Sequence, residues 1–138
     1  MDLPAGLTGS AVLTVAATDT AEAVGSGDLP VLATPRVLAL AEAATMAAVR
    51  DRLPAGLTTV GVQVEFSHQA PSPVGAVVTA DARLMVVDGR SLRFAVTVSD
   101  RTAGPDAGAR VVAEGTIDRV AVDRLRFLAR LPAVGPAQ

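Results

Sequence analysis

Residues 31–49 read VLATPRVLALAEAATMAAV, an almost wholly apolar run that forms a long helix with a single carboxylate, Glu42, at its centre. Thr34 is predicted as the N-cap, its hydroxyl accepting from the free amides of the first turn. Pro35 then takes the first helical position, where its missing N–H costs nothing. Ala, Leu and Met fill the interior, and the run carries into Arg50–Arg52 before Pro54 and Gly56 stop it. Val37, Leu38, Leu40, Ala41, Ala44, Ala47 and Ala48 cover nearly the whole circumference, which predicts burial on most sides. The uncharged run is too short for a membrane span. A carboxylate inside such a helix is costly unless it is paired or used.

Working outward, residues 9–18 (GSAVLTVAAT) are β-branched enough for a first strand, and residues 19–30 read as a polar loop. After the helix, LPAGLT is a turn. Residues 58–68 then alternate: Val60, Val62, Val64, Phe66 and His68 share one parity, and Thr59, Gly61, Gln63, Glu65 and Ser67 the other. QAPSPVG ends that strand. Residues 75–101 form a hairpin turning at Asp88-Gly89, predicted as type I′, with Leu92, Phe94, Val96 and Val98 as an apolar face. TAGPDAG, at 102–108, is a loop. Residues 109–120 make another long strand, and 123–131 a short amphipathic helix docked through Leu125, Phe127 and Leu128. One long helix followed by antiparallel strands is an α+β layer arrangement. Strands above the average of about 5–6 residues suit a sheet that curls around the helix. That picture is the hot-dog fold, an antiparallel curved sheet wrapped around one central helix, in one domain over residues 1–138.

Composition excludes several classes of function. The net charge is −2 and half the chain is apolar, so no nucleic-acid footprint exists. All twelve cations are arginines. The only aromatics are Phe66, Phe94 and Phe127, too few for base-stacking surfaces. With no cysteine and one histidine, thiolate nucleophiles, disulfides and metal centres are not expected. The first ten residues lack the pattern of a secretory signal, so a soluble, cytoplasmic protein is expected.

LATPRVLALAEAA, TTVGVQVEFSHQAPSPVG and the hairpin closed by VDGRSLRF together resemble the fluoroacetyl-CoA thioesterase family of hot-dog proteins, over about residues 31–130. The discriminating features are a threonine opening the helix, a glutamate eight residues on, and a glycine and a histidine seven apart on the next strand. Here they are Thr34, Glu42, Gly61 and His68. The resemblance implies that Thr34, Glu42 and His68 are the catalytic trio and that Gly61 lies against the thioester. It also implies an acyl-CoA substrate, no cofactor beyond the coenzyme A carried by that substrate, and a homodimer or a dimer of dimers with sites at the interface. The fluoroacetyl-specific member gates its site with aromatic residues just before the helix. This chain has VGSGDLPVL at 24–32, with no aromatic, so the thioester chemistry carries over and the fluorinated substrate does not.

The residue types suit that chemistry. Thioester hydrolysis needs a nucleophile or activated water, a proton shuttle, and donors for the oxyanion. His68 is the only imidazole, the side chain that exchanges protons near neutrality. Glu42 can act as a base towards water or attack the carbonyl through an anhydride. Thr34 can orient the reacting group or serve as nucleophile if His68 takes its proton. Amides around Pro35–Arg36 suit developing negative charge, and Gly61 lets a ligand approach its backbone. Taken singly, each residue has a plainer role: Thr34 a cap, His68 a strand-end group, Gly61 a bulge or a helix contact, Glu42 a carboxylate turned to water or paired with an arginine such as Arg36 or Arg93. Arg83, Arg90, Arg93 and Arg119 are available to coenzyme A phosphates, or form a solvated face. Thr34 and Glu42 stand about 12 Å apart along the helix, so either substrate lies between them or a second subunit joins the pieces. A non-catalytic acyl- or lipid-binding module is the alternative function. A hot-dog hydratase ranks last, because no closely spaced Asp–His pair exists on the helix.

Overall fold

The computed structural model describes residues 1–102 and 108–136; most of the loop expected at 102–108 lies outside them. Among the described residues there are five antiparallel strands: β1 (Thr8–Thr14), β2 (Leu57–His68), β3 (Val77–Asp88), β4 (Ser91–Arg101) and β5 (Arg110–Asp123). They form one sheet in the order β1-β3-β4-β5-β2. Helix α1 is Ala21–Val24, α2 is Thr34–Val49, and α3 is Arg124–Ala129. The mixed architecture is the predicted one: a curved sheet carrying a single long helix.

Helix α2 buries Val37, Ala41, Ala44, Thr45, Ala48 and Val49, a stripe at helical spacing. It lies mainly on β1 and β3, with less on β4. Burial is therefore one-sided: Ala39 and Ala43 are exposed and Glu42 is half-buried. One sheet covers one face of the helix, which corrects the expected all-round burial. Gly9 lets β1 approach closely, since a Cβ there would fall on the α2 backbone at Ala44 and Ala48. Leu92, Phe94, Val96 and Val98 of β4 are buried as expected, opposite Val87, Leu84, Ala82 and Ala80 of β3. Each large apolar side chain so buried contributes roughly 1.5–3 kcal/mol.

Five local expectations change. Strand β1 ends at Thr14 instead of residue 18, because a 3-10 turn takes over at Ala17. The segment 19–30 is not all loop: a 3-10 turn at Ala17–Asp19 leads into α1, whose cap Thr20 accepts from the Ala23 amide. The hairpin turn is Gly89-Arg90, because Asp88 pairs with Ser91. Only Gly89 has positive φ, 59°, which fits type II′. Strand β5 runs to Asp123, three residues beyond the predicted end. Helix α3 forms on its Asp123 cap, but Leu125 is 78% exposed and Leu128 54%, so its apolar groups are not docked within the chain.

Candidate active site

Thr34 opens α2, but the N-cap is Ala33 and no side chain caps the helix. The Arg36 and Val37 amides both turn onto the Ala33 carbonyl. Pro35 has no N–H, so of the amides expected to face an oxyanion only Thr34's own is without a partner among the described residues. Freed from capping, the Thr34 hydroxyl lies 2.7 Å from His68 Nδ1. His68 Nε2 is buried with no hydrogen-bond partner. That absence of a partner holds among the described residues, and a buried polar atom left unpaired costs about 1–3 kcal/mol.

The start of α2 is fixed from two sides. Arg36 bonds the buried Asp19 carboxylate, Nη2 to Oδ1 at 2.8 Å, and the Ala33 amide bonds the Asp19 carbonyl. The segment after His68 is held by a buried cluster in which Asp100 accepts from Ser72 Oγ at 2.7 Å and Arg110 Nε at 2.9 Å. Burial pushes the Asp100 carboxyl up, but the hydrogen bonds from Arg110 and Ser72 and the Arg110 charge outweigh it and hold the group below the usual range. The Ser72 carbonyl accepts from the Leu32 amide, tying this cluster to the chain entering α2.

Glu42 is paired with Arg119, Nη1 to Oε2 at 2.8 Å; the acid side chain is 41% exposed and the arginine 6%. Neither Arg36 nor Arg93 is its partner, because Arg93 pairs with Asp118. Arg119 Nε donates to Thr59 Oγ1 at 2.8 Å, and Nη2 to the Thr59 carbonyl at 2.9 Å. Nη2 also approaches Met46 Sδ at 3.1 Å. So anchored, Arg119 is not available to phosphates, and Glu42 keeps Oε1 for another partner.

Gly61 pairs across the sheet with Arg119. A Cβ on it would lie 2.5 Å from Glu42 Oε2, so its bareness makes room for the carboxylate. Gly61 and His68 have opposite parity, which in a regular strand sends them to opposite faces. The β2–β5 register shifts between Gly61 and Gln63, and this bulge at Val62 reverses the alternation. Gly61 therefore meets Glu42 and His68 meets Thr34, both on the helix side. The expected grouping of Val60 and Val62 with His68 is corrected by the same shift.

The four residues thus form two pairs, Thr34 with His68 and Glu42 beside Gly61, with Thr34 and Glu42 about 12 Å apart along α2. A cleft of about 260 Å³ adjoins the first pair, lined by Thr34, His68, Gln69 and, from the preceding segment, Ala21 and Ser26. No cluster of potential metal ligands exists among the described residues.

A family model for the fluoroacetyl-CoA-specific thioesterase matches residues 15–125. The fluoroacetyl-CoA thioesterase of Streptantibioticus cattleyicolor is 30% identical over 107 residues, 78% of this chain and 72% of the relative. Among solved structures, a threonine-to-serine mutant of a fluoroacetyl-CoA thioesterase, in complex with acetyl-CoA, matches with a TM-score of 0.80 at 25% identity. That match covers 93% of this chain and 96% of the other. A hot-dog-like protein from Thermanaerovibrio acidaminovorans gives 0.76 at 24% identity, covering 95% of each chain, a likeness of fold.

Proposed function

Because the chain belongs to the fluoroacetyl-CoA-specific thioesterase family, we infer that Thr34, Glu42 and His68 form its reaction centre, with Gly61 beside it. The protein is a thioester hydrolase acting on acyl-CoA. The observation that carries the residue assignment is the 2.7 Å contact between Thr34 Oγ1 and His68 Nδ1. A hydroxyl and an imidazole at that distance have the geometry that a nucleophile and its base require.

In this reading the Thr34 oxygen attacks the acyl carbon while His68 Nδ1 takes its proton. The carbon–sulfur bond breaks, and the imidazolium returns the proton to the departing coenzyme A thiolate. Water then attacks the acyl-threonine, with a carboxylate as base, releasing the acid and restoring the hydroxyl. The carboxylate is Glu42, and its distance from Thr34 within one chain points to a second copy.

Strand β2 supports that pairing. It is an edge strand, residues 61–65 are exposed, and Val62 is 60% exposed. A long, largely uncharged edge is a template for another strand. Antiparallel self-pairing about a two-fold axis at Glu65, with the bulged Val62 left out of the ladder, sets Gly61, and with it Glu42, towards the second copy's His68. The unpartnered Nε2 then has an acceptor. We assign one hot-dog domain over residues 1–138, working as a homodimer. A coenzyme A substrate fits a cytoplasmic location.

Ala21 and Ser26 leave the cleft mouth without an aromatic gate, which favours acyl groups of small to medium length without preference for fluorine. Thiol release from a panel of acyl-CoAs tests the reading. Wild type turns over several, and Glu42→Gln and His68→Ala do not. Undiminished release in both variants overturns it.

A further inference from the structure

Of the arginines set aside for phosphates, Arg119 and Arg93 are committed to Glu42 and Asp118. Arg90 has a different setting. With Arg126, Phe127 and Arg130 it lines a concavity of about 290 Å³, closed by Ala121 and Asp123 at the end of β5. Arg90, Arg126 and Arg130 make no ion pair among the described residues, where Arg36, Arg93, Arg110 and Arg119 each do. The lone acid, Asp123, is turned to the helix and accepts from the Arg126 amide at 2.9 Å. Three uncompensated guanidinium groups in one hollow, on a chain of net charge −2, make a local field for an anion. Phe127, 40% exposed, adds a ring face on which a flat base can stack.

The hollow lies within reach of the reaction centre. Gly61 pairs with Arg119 and Leu57 with Asp123, four residue steps or about 13 Å along the sheet. No register shift intervenes, so Ala121 and Asp123 share the parity of Arg119, while Val122 of the other parity also lines the hollow, which wraps the end of β5. That separation suits an extended pantetheine arm between a thioester at Glu42 and a nucleotide at α3.

Resting on the thioesterase reading above, we propose that Arg90, Arg126 and Arg130 with Phe127 bind the phosphorylated adenosine end of the coenzyme A thioester. Guanidinium forks take the phosphates in bidentate fashion and the phenyl ring takes the adenine. The enzyme is thereby fitted to free acyl-CoA. An acyl group on a carrier protein brings a phosphopantetheine arm but no nucleotide.

The test compares one acyl group on coenzyme A, on 3′-dephospho-coenzyme A and on pantetheine, in wild type and in the Arg126→Ala/Arg130→Ala double variant. Both side chains are exposed, so the fold should survive; Arg126→Lys/Arg130→Lys, which keeps the charge, is the second variant. In wild type, kcat/KM falls along that substrate series. In the double alanine variant the ratio of acyl-CoA to acyl-pantetheine kcat/KM drops about tenfold or more, mostly through KM, and the lysine variant lies between. Adenosine 3′,5′-bisphosphate binds wild type and binds the alanine variant at least tenfold more weakly. An unchanged ratio overturns the proposal, as does a carrier-protein thioester that is the better substrate and is the one lost in the variant. Nucleotide binding without hydrolysis of any thioester would instead count against the reaction reading.

Discussion

Arg119 Nη1 bonds Glu42 Oε2 at 2.8 Å from a buried position directly across the sheet from Gly61. The guanidinium is the fixed partner, held by both oxygens of Thr59, and the half-exposed carboxylate is aimed by it. The geometry uses one carboxylate oxygen and leaves the other without a hydrogen-bond partner among the described residues.

Replacing Arg119 by alanine removes the aim and a buried cation together. Losing the guanidinium leaves both Thr59 oxygens without their donor, which should cost about 1–3 kcal/mol of stability, while the half-exposed Glu42 is left to solvent. Arg119→Lys keeps the charge but not the fork. We expect kcat for acyl-CoA to fall at least tenfold in the lysine variant with the fold retained, read by thiol release beside a thermal melt.

Glu42→Gln separates charge from shape. The amide can still meet Arg119, and the guanidinium keeps its other bonds, so stability should shift by about 1 kcal/mol. Loss of a general base should lower kcat by about 10²–10⁴. A variant that melts early and remains active would mean that the pair serves only the fold.

Gly61→Ala places a methyl 2.5 Å from Glu42 Oε2, and the flexible carboxylate must yield. Backbone entropy favours alanine over glycine by about 0.4–1 kcal/mol and the disturbed Arg119 bond to Oε2 offsets it, so the melting temperature should change little. Activity should fall. Undiminished kcat at an unchanged melting point would show that the carboxylate position does not matter.

Acid should loosen the segment behind His68. The Asp100 carboxyl is lowered in the folded protein relative to about 3.9 when unfolded. Its contribution is complete above that value and is lost as pH falls through the lower folded one. Melting curves from pH 6 to 2 should show a steeper acid fall in wild type than in Asp100→Asn, which starts lower. Parallel curves would contradict the assignment.

Much of this fold was legible because long uniform patterns carry it. The helix at 34–49, the buried face of β4 and the Asp-Gly signal near the hairpin tip all follow from periodicity and turn chemistry. The bulge at Val62 was legible only as one reading of Gly61, since Val60, Val62 and Val64 continue an unbroken alternation and pairing with β5 is needed to place the extra residue. That shift puts Gly61 and His68 on one face, so their common orientation was hidden while their identity was plain. Arg119 was misread for a related reason: its partner is 77 positions away, and sequence spacing reports neighbours within an element, not across a sheet. The N-cap was missed because Thr34 looks like one, and its hydroxyl goes to an imidazole on another strand. Docking of α3 failed as an expectation because amphipathic spacing names an apolar face without saying what covers it.

Mixing two inactive variants tests the shared centre most directly. Glu42→Gln and His68→Ala, each inactive alone, are co-expressed so that mixed dimers form. Each mixed dimer then carries one interface site with native Glu42 from one copy and native His68 from the other, and acyl-CoA hydrolysis should return. Mixed dimers that form and stay as inactive as their parents would contradict a reaction centre built from two chains.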